Sequence, residues 1–117
     1  MSRVINSRNS RVLVEKLERA TKLKERLVGL IGRPSLEEGH GLWIDRSGNS
    51  IHTCLMKFPI DVLFVNKKGE VKHAAAHVKP WRLIFAPLIM PTDVLELPAG
   101  TIDRCETRVG DVLRVEN

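Results

Sequence analysis

Three side chains that could bind a metal or act as nucleophiles occur at every second position, as His52, Cys54 and Met56. On an extended strand this spacing points all three to one face. Imidazole, thiolate and thioether together form a soft ligand set that suits Cu(I). A shared ion is disfavoured, because His52 and Met56 would lie roughly 13 Å apart along an ideal strand. The sequence therefore predicts no metal site and no cofactor.

Cys54 could instead act as a nucleophile, with His52, His73 or His77 as its base. A catalytic cysteine needs a lowered pKa and a positioned base. No local catalytic signature surrounds Cys54, and we find no Gly-rich phosphate loop and no serine nucleophile elbow. The sequence therefore predicts no catalytic residue. Cys54 and the distant Cys105 are predicted to be reduced, unlinked thiols.

Asp61 is a carboxylate within the apolar run from Ile60 to Val65. A carboxylate in such a run is either exposed on a half-solvated strand or buried with a partner. We predict a buried Asp61 that binds backbone amides or a basic side chain such as Arg26 or Arg33. The alternative is a polar anchor inside a ligand pocket.

A binding surface is predicted where the segment 52–61 meets the loop 80–82. Pro80 restrains the backbone beside an aromatic plate and a guanidinium fork. Such a surface suits a small anionic or planar ligand, or a peptide. The candidate ligand-binding residues are Arg26, His52, Lys57, Asp61, Trp81 and Arg82.

The hydrophobic pattern predicts the elements that position these residues. A helix is expected over residues 21–31, ended by Gly32 and Pro34. Alternating or continuous apolar segments predict six or seven short strands. These lie at residues 12–14, 42–44, 51–54, 60–65, 70–78, 93–97 and 112–115. The expected fold is α+β and predominantly β, a compact sandwich or partly open barrel with the helix packed on it.

The chain has 117 residues, and its basic charge is concentrated at one end. Residues 1–33 hold nine Lys or Arg against three Glu, whereas the rest is close to neutral. Residues 1–11 are predicted to be a flexible basic N-terminus and residues 12–117 a single domain. No apolar run approaches the roughly 20 residues of a membrane-spanning helix, and no secretory signal is seen, so a cytoplasmic location is expected.

Four segments resemble the prokaryotic family called domain of unknown function 192. They are residues 26–30, 51–65, 94–100 and 110–111, within a resemblance that covers about residues 12–116. The resemblance implies a compact, mostly β fold with a helix over one side. That family has no established activity, so it supplies no functional residue.

Three functions follow from the residues. The favoured one is a small binding or interaction module without catalysis of its own. The second is a small-ligand-binding protein or small enzyme with a pocket around His52, Cys54, Asp61 and Arg82. The third is nucleic-acid association through the basic N-terminal third, which no nucleic-acid-binding motif supports.

Overall fold

Strands dominate the computed structural model, which describes residues 2–20, 30–87 and 91–117. In chain order these parts form β1 (Arg3–Asn6), β2 (Val12–Val14), β3 (Lys16–Ala20), β4 (His40–Gly48), β5 (Ser50–His52), β6 (Ile60–Val65), β7 (Val71–Val78), β8 (Leu83–Phe85), β9 (Thr92–Pro98), helix α1 (Thr101–Arg104) and β10 (Leu113–Glu116). The predicted β-rich α+β class is confirmed. The described residues hold ten strands rather than six or seven, and the predicted helix at 21–31 lies mainly outside them.

The strands form three sheets that do not close into a barrel. The largest has the order β3-β4-β9-β6-β7, a second has the order β10-β1-β2, and the third is the two-stranded ribbon β5-β8. Only β3 and β4 pair in parallel among the described strands. A chain with short connections and one short described helix favours such antiparallel pairing.

The five-stranded sheet is buried on both faces, and all six residues of its inner strand β6 are buried. Leu63 and Leu95 lie on the face that packs against Val4 and Leu13 of the β10-β1-β2 sheet. On the opposite face, Val62, Phe64 and Val94 belong to a second cluster with Leu30, Met56 and Ala86, against which Ile51 and Ile84 of the ribbon pack. The alternation of side chains along each strand separates the two clusters.

The N-terminal residues are folded, which corrects the prediction of a flexible end over residues 1–11. β1 lies between β10 and β2, and its Val4, Ile5 and Asn6 are buried. Val4 and Ile5 are apolar and belong to the core. The buried Asn6 side-chain amide is satisfied, since it donates to Asp111 Oδ2 (2.8 Å) and Thr107 Oγ1 (3.3 Å). Both partners lie about a hundred residues away, so local composition does not predict this strand.

Two other strands were not predicted. β3 is rich in charged residues but pairs along its whole length with β4. β8 lies in the proline-containing segment 79–92. It forms a strand there because it pairs in antiparallel register with β5. No helix in the described part of the chain is long and apolar enough to cross a membrane.

Candidate functional site

Four large apolar side chains are exposed together on the ribbon and its flanking loops. Leu55, Trp81, Leu83 and Phe85 are 58%, 61%, 62% and 68% exposed, respectively. Leu83 and Phe85 belong to β8, whose intervening Ile84 faces the core cluster. The strand thus points alternate apolar residues to solvent, where a water-facing strand normally carries polar ones. We call these four side chains the Trp81 surface.

A buried threonine fastens the loop that carries Trp81. The Thr53 hydroxyl donates to Lys79 O (2.6 Å) and accepts from Arg82 N–H (2.9 Å). The Thr53 backbone adds two bonds, since its N–H donates to Arg82 O (2.8 Å) and its carbonyl accepts from Trp81 N–H (3.0 Å). Trp81 is therefore exposed on a loop held by four hydrogen bonds to one residue.

The backbone at this surface is strained in two places. Leu55 and Trp81 both have a φ of 65°, in the left-handed region that disfavours residues with a Cβ. Strain of this kind persists only where the surrounding structure holds it, and it is common at binding sites. The hydrogen bonds of Thr53 hold it at Trp81.

The segments that carry the Trp81 surface are exclusively basic in their ionisable residues, apart from the thiol of Cys54. Residues 49–60 and 79–87 contain Lys57, Lys79, Arg82 and His52 but neither Asp nor Glu. All four side chains are exposed. The surface therefore joins an apolar centre to a positively charged surround.

Four of the six predicted binding residues lie in these two segments, namely His52, Lys57, Trp81 and Arg82. A fifth, Arg26, lies outside the described residues. The sixth, Asp61, is buried in β6 and carries out a structural task. Its Oδ1 accepts from His77 N–H (2.8 Å), and its Oδ2 accepts from the N–H groups of Gly100 (3.1 Å) and Ile102 (2.8 Å).

The prediction of a buried Asp61 bound to backbone amides is thus confirmed. Its carboxylate joins β7 to the start of α1, where the orphan amides of a helix terminus need acceptors. His77 has a φ of 53°, so Asp61 also holds a strained residue. Arg33, one of the predicted partners, binds Glu18 instead.

His52, Cys54 and Met56 do not share a face. β5 ends at His52, whose side chain is exposed. A turn follows, and Met56 within it is buried in the core. His52 Nδ1 accepts from Cys54 N–H (3.2 Å), which is a local turn contact. Both cysteines are free, and burial raises the pKa of the Cys105 thiol. Among the described residues no cluster of three His, Cys, Asp or Glu side chains could hold a metal ion.

Glu96, at the centre of the five-stranded sheet, was not predicted as a site residue. It is 2% exposed, and its Oε1 is buried without a hydrogen-bond partner among the described residues. Burial raises its pKa to about 7, although the nearby Arg33 charge opposes the shift. The strand pattern held a signal, because Glu96 interrupts an apolar strand as Asp61 does.

Arg33 and Glu18 form an ion pair beside this carboxyl. The Arg33 Nη1 and Nη2 donate to the two Glu18 oxygens, each at 3.0 Å. This bidentate contact lowers the pKa of Glu18. Glu18 pairs in register with Leu42, and Leu42 with Glu96, so the two carboxyls occupy one row of the sheet, roughly 10 Å apart at the backbone.

Comparison with known proteins gives a family but no activity. A family model described as "Uncharacterized ACR" (DUF192) matches residues 4–115. UPF0127 protein PF1050 of Pyrococcus furiosus is 35% identical over 68 residues, which are 58% of this chain and 57% of that protein. The chain thus spans little more than half the length of this relative.

Two solved structures share the fold. A "putative transcription regulator" from Sinorhizobium meliloti 1021 superposes with a TM-score of 0.82 at 26% identity, over 97% of this chain and 91% of the other. A protein of unknown function from Novosphingobium aromaticivorans gives a TM-score of 0.80 at 24% identity, over 97% and 82% of the two chains. The second likeness concerns the fold alone.

Proposed function

The chain belongs to the uncharacterised DUF192 family, and from its own surface we propose that the protein is a binding module for an acidic polypeptide segment. The segment docks on the Trp81 surface and its basic surround. The proposal assigns no reaction to the protein.

The observation that carries the proposal is the exposure of several large apolar side chains on one ribbon and its two flanking loops. Of the six large hydrophobic residues that are exposed in the described part of the chain, four form the Trp81 surface. Exposed apolar residues scattered singly need no explanation, but a contiguous group marks an interaction site. Tryptophan is also the residue type most enriched among binding hot spots.

The fastened loop supports binding rather than a chance exposure. A preformed loop loses little conformational entropy when a partner docks, so more of the contact energy appears as affinity. The Thr53 hydrogen bonds and the left-handed backbone at Trp81 supply this preorganisation.

The charge of the surround supports an acidic partner. Lys57, Lys79 and Arg82 are not opposed by any acidic residue of their own segments. A partner that pairs Leu or Phe with Asp or Glu would match both the apolar centre and this surround. The edges of the ribbon also offer backbone groups to an extended peptide.

Nucleic-acid binding is a second candidate, because the Sinorhizobium meliloti structure is described as a "putative transcription regulator". The arginines of the first 20 residues support it weakly, since each of them faces a carboxylate. The pairs are Arg3–Glu15 (3.6 Å), Arg8–Asp111 (2.7 Å), Arg11–Glu106 (2.9 Å) and Arg19–Asp45 (3.5 Å). An arginine that is already paired with a carboxylate gains less binding free energy when it contacts a phosphate.

The test is an NMR titration with four probes: a ten-residue peptide alternating Glu with Leu or Phe, the same peptide with Lys for Glu, anionic phosphatidylglycerol vesicles and a short DNA duplex. The acidic peptide should shift resonances of residues 49–58 and 79–87. Trp81→Ala should weaken its binding at least tenfold. Val109→Ala, which removes an exposed apolar residue elsewhere, should leave binding unchanged.

Equal binding of the acidic and basic peptides would contradict the proposed charge selection. Binding to vesicles without binding to the peptide would replace the polypeptide by a membrane surface as the partner. Salt-sensitive DNA shifts at the N-terminal arginines alone would favour the second candidate.

A further inference from the structure

A cavity of about 290 Å³ lies at one end of the five-stranded sheet, beside the turn 66–69 that follows Val65 of β6. The loop that carries Trp81 follows Val78, which pairs with Ile60 at the other end of β6. The cavity and the Trp81 surface are therefore separated by the length of this strand, roughly 17 Å. The volume is close to the lower end of the range for small-molecule sites. The described residues that line the cavity are Arg19, Trp43, Asn66, Lys67, Lys68, Gly69, Asp93, Leu113 and Val115.

One wall of the cavity is the turn after β6, which is fastened to β10. The Asn66 side-chain Oδ1 accepts from the N–H groups of Lys68 and Glu70, each at 2.9 Å. The Gly69 carbonyl accepts from Leu113 N–H (2.7 Å). Gly69 has a φ of 84°, and a Cβ there would lie 2.5 Å from Leu113 O, so the turn approaches β10 this closely only with glycine. The turn therefore presents its lysines from a fixed backbone.

A second wall is formed by Arg19 over Trp43. The guanidinium carbon of Arg19 lies 5.4 Å from the centroid of the Trp43 ring, within cation–π range. The Trp43 indole N–H donates to Asp93 Oδ2 (3.0 Å). Trp43 is itself buried, so the flat surface offered to a ligand is mainly the Arg19 guanidinium, which can stack on a planar group. The apolar residues Leu113 and Val115 of β10 also line the cavity.

The charge around the cavity is unbalanced in favour of cations. Asp93 is the only carboxylate among the described lining residues, and Arg19 pairs with Asp45 (3.5 Å) outside the lining. Lys67 and Lys68 form no ion pair with any residue that the structure describes. A cleft lined by uncompensated charge of one sign raises the local concentration of oppositely charged ligands. The two lysines thus favour a multiply charged anion.

We propose that this cavity binds a small organic phosphate, a phosphate monoester on a compact planar body. The phosphate carries a charge of about −1.5 to −2 at pH 7 and accepts hydrogen bonds from the ammonium groups of Lys67 and Lys68. The planar body lies against the Arg19 guanidinium and the side chains of Leu113 and Val115. This site goes beyond the peptide-binding function proposed above and does not depend on it.

The test is an NMR titration with phenyl phosphate, inorganic phosphate, benzenesulfonate and phenol as probes. The chain has two tryptophans, so the Trp43 indole N–H reports on the cavity and the Trp81 indole N–H is an internal control. Phenyl phosphate should saturably shift the Trp43 indole and the amides of Lys68 and Gly69, and it should leave Trp81 unmoved. It should bind more tightly than the other three probes, because it alone joins a phosphate to a ring.

Replacing both turn lysines, as Lys67→Gln with Lys68→Gln, should weaken phenyl phosphate binding about tenfold or more, because charge-assisted hydrogen bonds are lost. The matched control is Lys72→Gln with Arg114→Gln. It removes the same net charge at two residues that lie outside the lining and are already paired with glutamates. This control should bind phenyl phosphate as tightly as the unaltered protein does.

Equal binding of phenyl phosphate and phenol, or an equal loss of affinity in the two double variants, would overturn the proposal. Inorganic phosphate or benzenesulfonate that binds as tightly as phenyl phosphate would also overturn it, because the ring or the second charge would then contribute nothing. A shift of both indole resonances would show binding that is not confined to the cavity, with the same consequence. The peptide titration at the Trp81 surface is a separate measurement and can succeed or fail independently.

Discussion

Two buried carboxyls on neighbouring strands of one sheet show how differently the same chemical group can be used. Asp61 on β6 is surrounded by three backbone donors. Glu96 on β9 pairs in register with Val62, the next residue along from Asp61, and has a buried oxygen to which no described residue donates. Strand alternation sends the two side chains to opposite faces. Asp61 therefore stabilises the fold, whereas Glu96 is buried at a cost that depends on its protonation.

Replacing Asp61 by alanine should destabilise the protein by about 3–5 kcal/mol, because three amides lose their acceptor at once. Asp61→Asn should cost less, since one oxygen remains as an acceptor for Gly100 and Ile102. Chemical denaturation of the three proteins measures the order. Asp103→Ala, at a mostly exposed carboxylate, should change stability by less than about 0.5 kcal/mol. An Asp61→Ala protein as stable as the Asp103 control would refute this role.

Glu96 should make the protein less stable as pH rises from about 4.5 to 7. Its pKa is about 7 in the fold and near 4.5 when the chain is unfolded, so the folded state binds the proton more tightly. Stability contributed by this proton is complete below pH 4.5, falls through the window between the two pKa values and is constant above it. Linkage puts the loss at about 3 kcal/mol.

Glu96→Gln removes this titration. Its unfolding free energy should exceed that of the unaltered protein at pH 8 and approach it at pH 5, as measured by urea unfolding at both pH values. The same comparison with Glu38→Gln should show no such difference. A Glu96→Gln protein with an undiminished pH dependence would show that another group titrates.

At the scale of elements, the ribbon β5-β8 depends on one hydroxyl group. Thr53→Val keeps the shape of the side chain but removes the donor to Lys79 O and the acceptor for Arg82 N–H. An amide without its acceptor costs about 1–3 kcal/mol, and the loop can avoid the cost by opening. We expect faster hydrogen exchange at the Arg82 amide and weaker binding at the Trp81 surface, with little change in β6.

The matched control is Thr101→Val, which removes a buried hydroxyl that donates to Pro98 O (2.7 Å) on another part of the fold. It should leave the Arg82 amide unchanged. Equal exchange at Arg82 in both variants would mean that the loop holds its shape without Thr53.

An element could be predicted from the sequence where nearby residues determine its structure, and not where pairing with a distant strand does. The apolar run of β6 follows from nearby residues, and the strand occurs where the sequence predicted it. β3 could not be predicted, because charged residues adopt a strand there through pairing with β4. Glu96 could have been proposed by the argument used for Asp61, but only the structure reveals which of the two carboxyls lacks donors.

For the whole molecule, the N-terminal strand is an internal part of a sheet. β1 separates β10 from β2, and burial of Val4 and Ile5 contributes about 1.5–3 kcal/mol each. The pKa of Asp111 is affected as well: its burial alone would raise the value, but hydrogen bonds from Arg8, Asn6 and Arg108 lower it to about 2. A chain cut to residues 12–117 loses all of these partners except Arg108.

Such a truncated chain should not unfold cooperatively, because the losses approach the total stability of about 5–15 kcal/mol that a small domain has. Thermal unfolding followed by circular dichroism is the measurement. A chain that begins at Ser2 keeps the strand and the Ser2 carbonyl that accepts from Leu17 N–H (3.0 Å), and it should unfold like the full protein. A sharp transition for residues 12–117 at an unchanged temperature would restore the flexible N-terminus that the sequence predicted.

The pairing of β1 with β10 joins the two ends of the described chain, with Arg3 opposite Glu116. β1 and β2 can pair soon after leaving the ribosome, but the other edge of β1 remains open until β10 is synthesised. At ~5–20 residues per second this delay is roughly ten seconds. Pairing between such distant segments is also slow once synthesis ends. Until then the nascent protein carries an open strand edge of the kind that promotes aggregation.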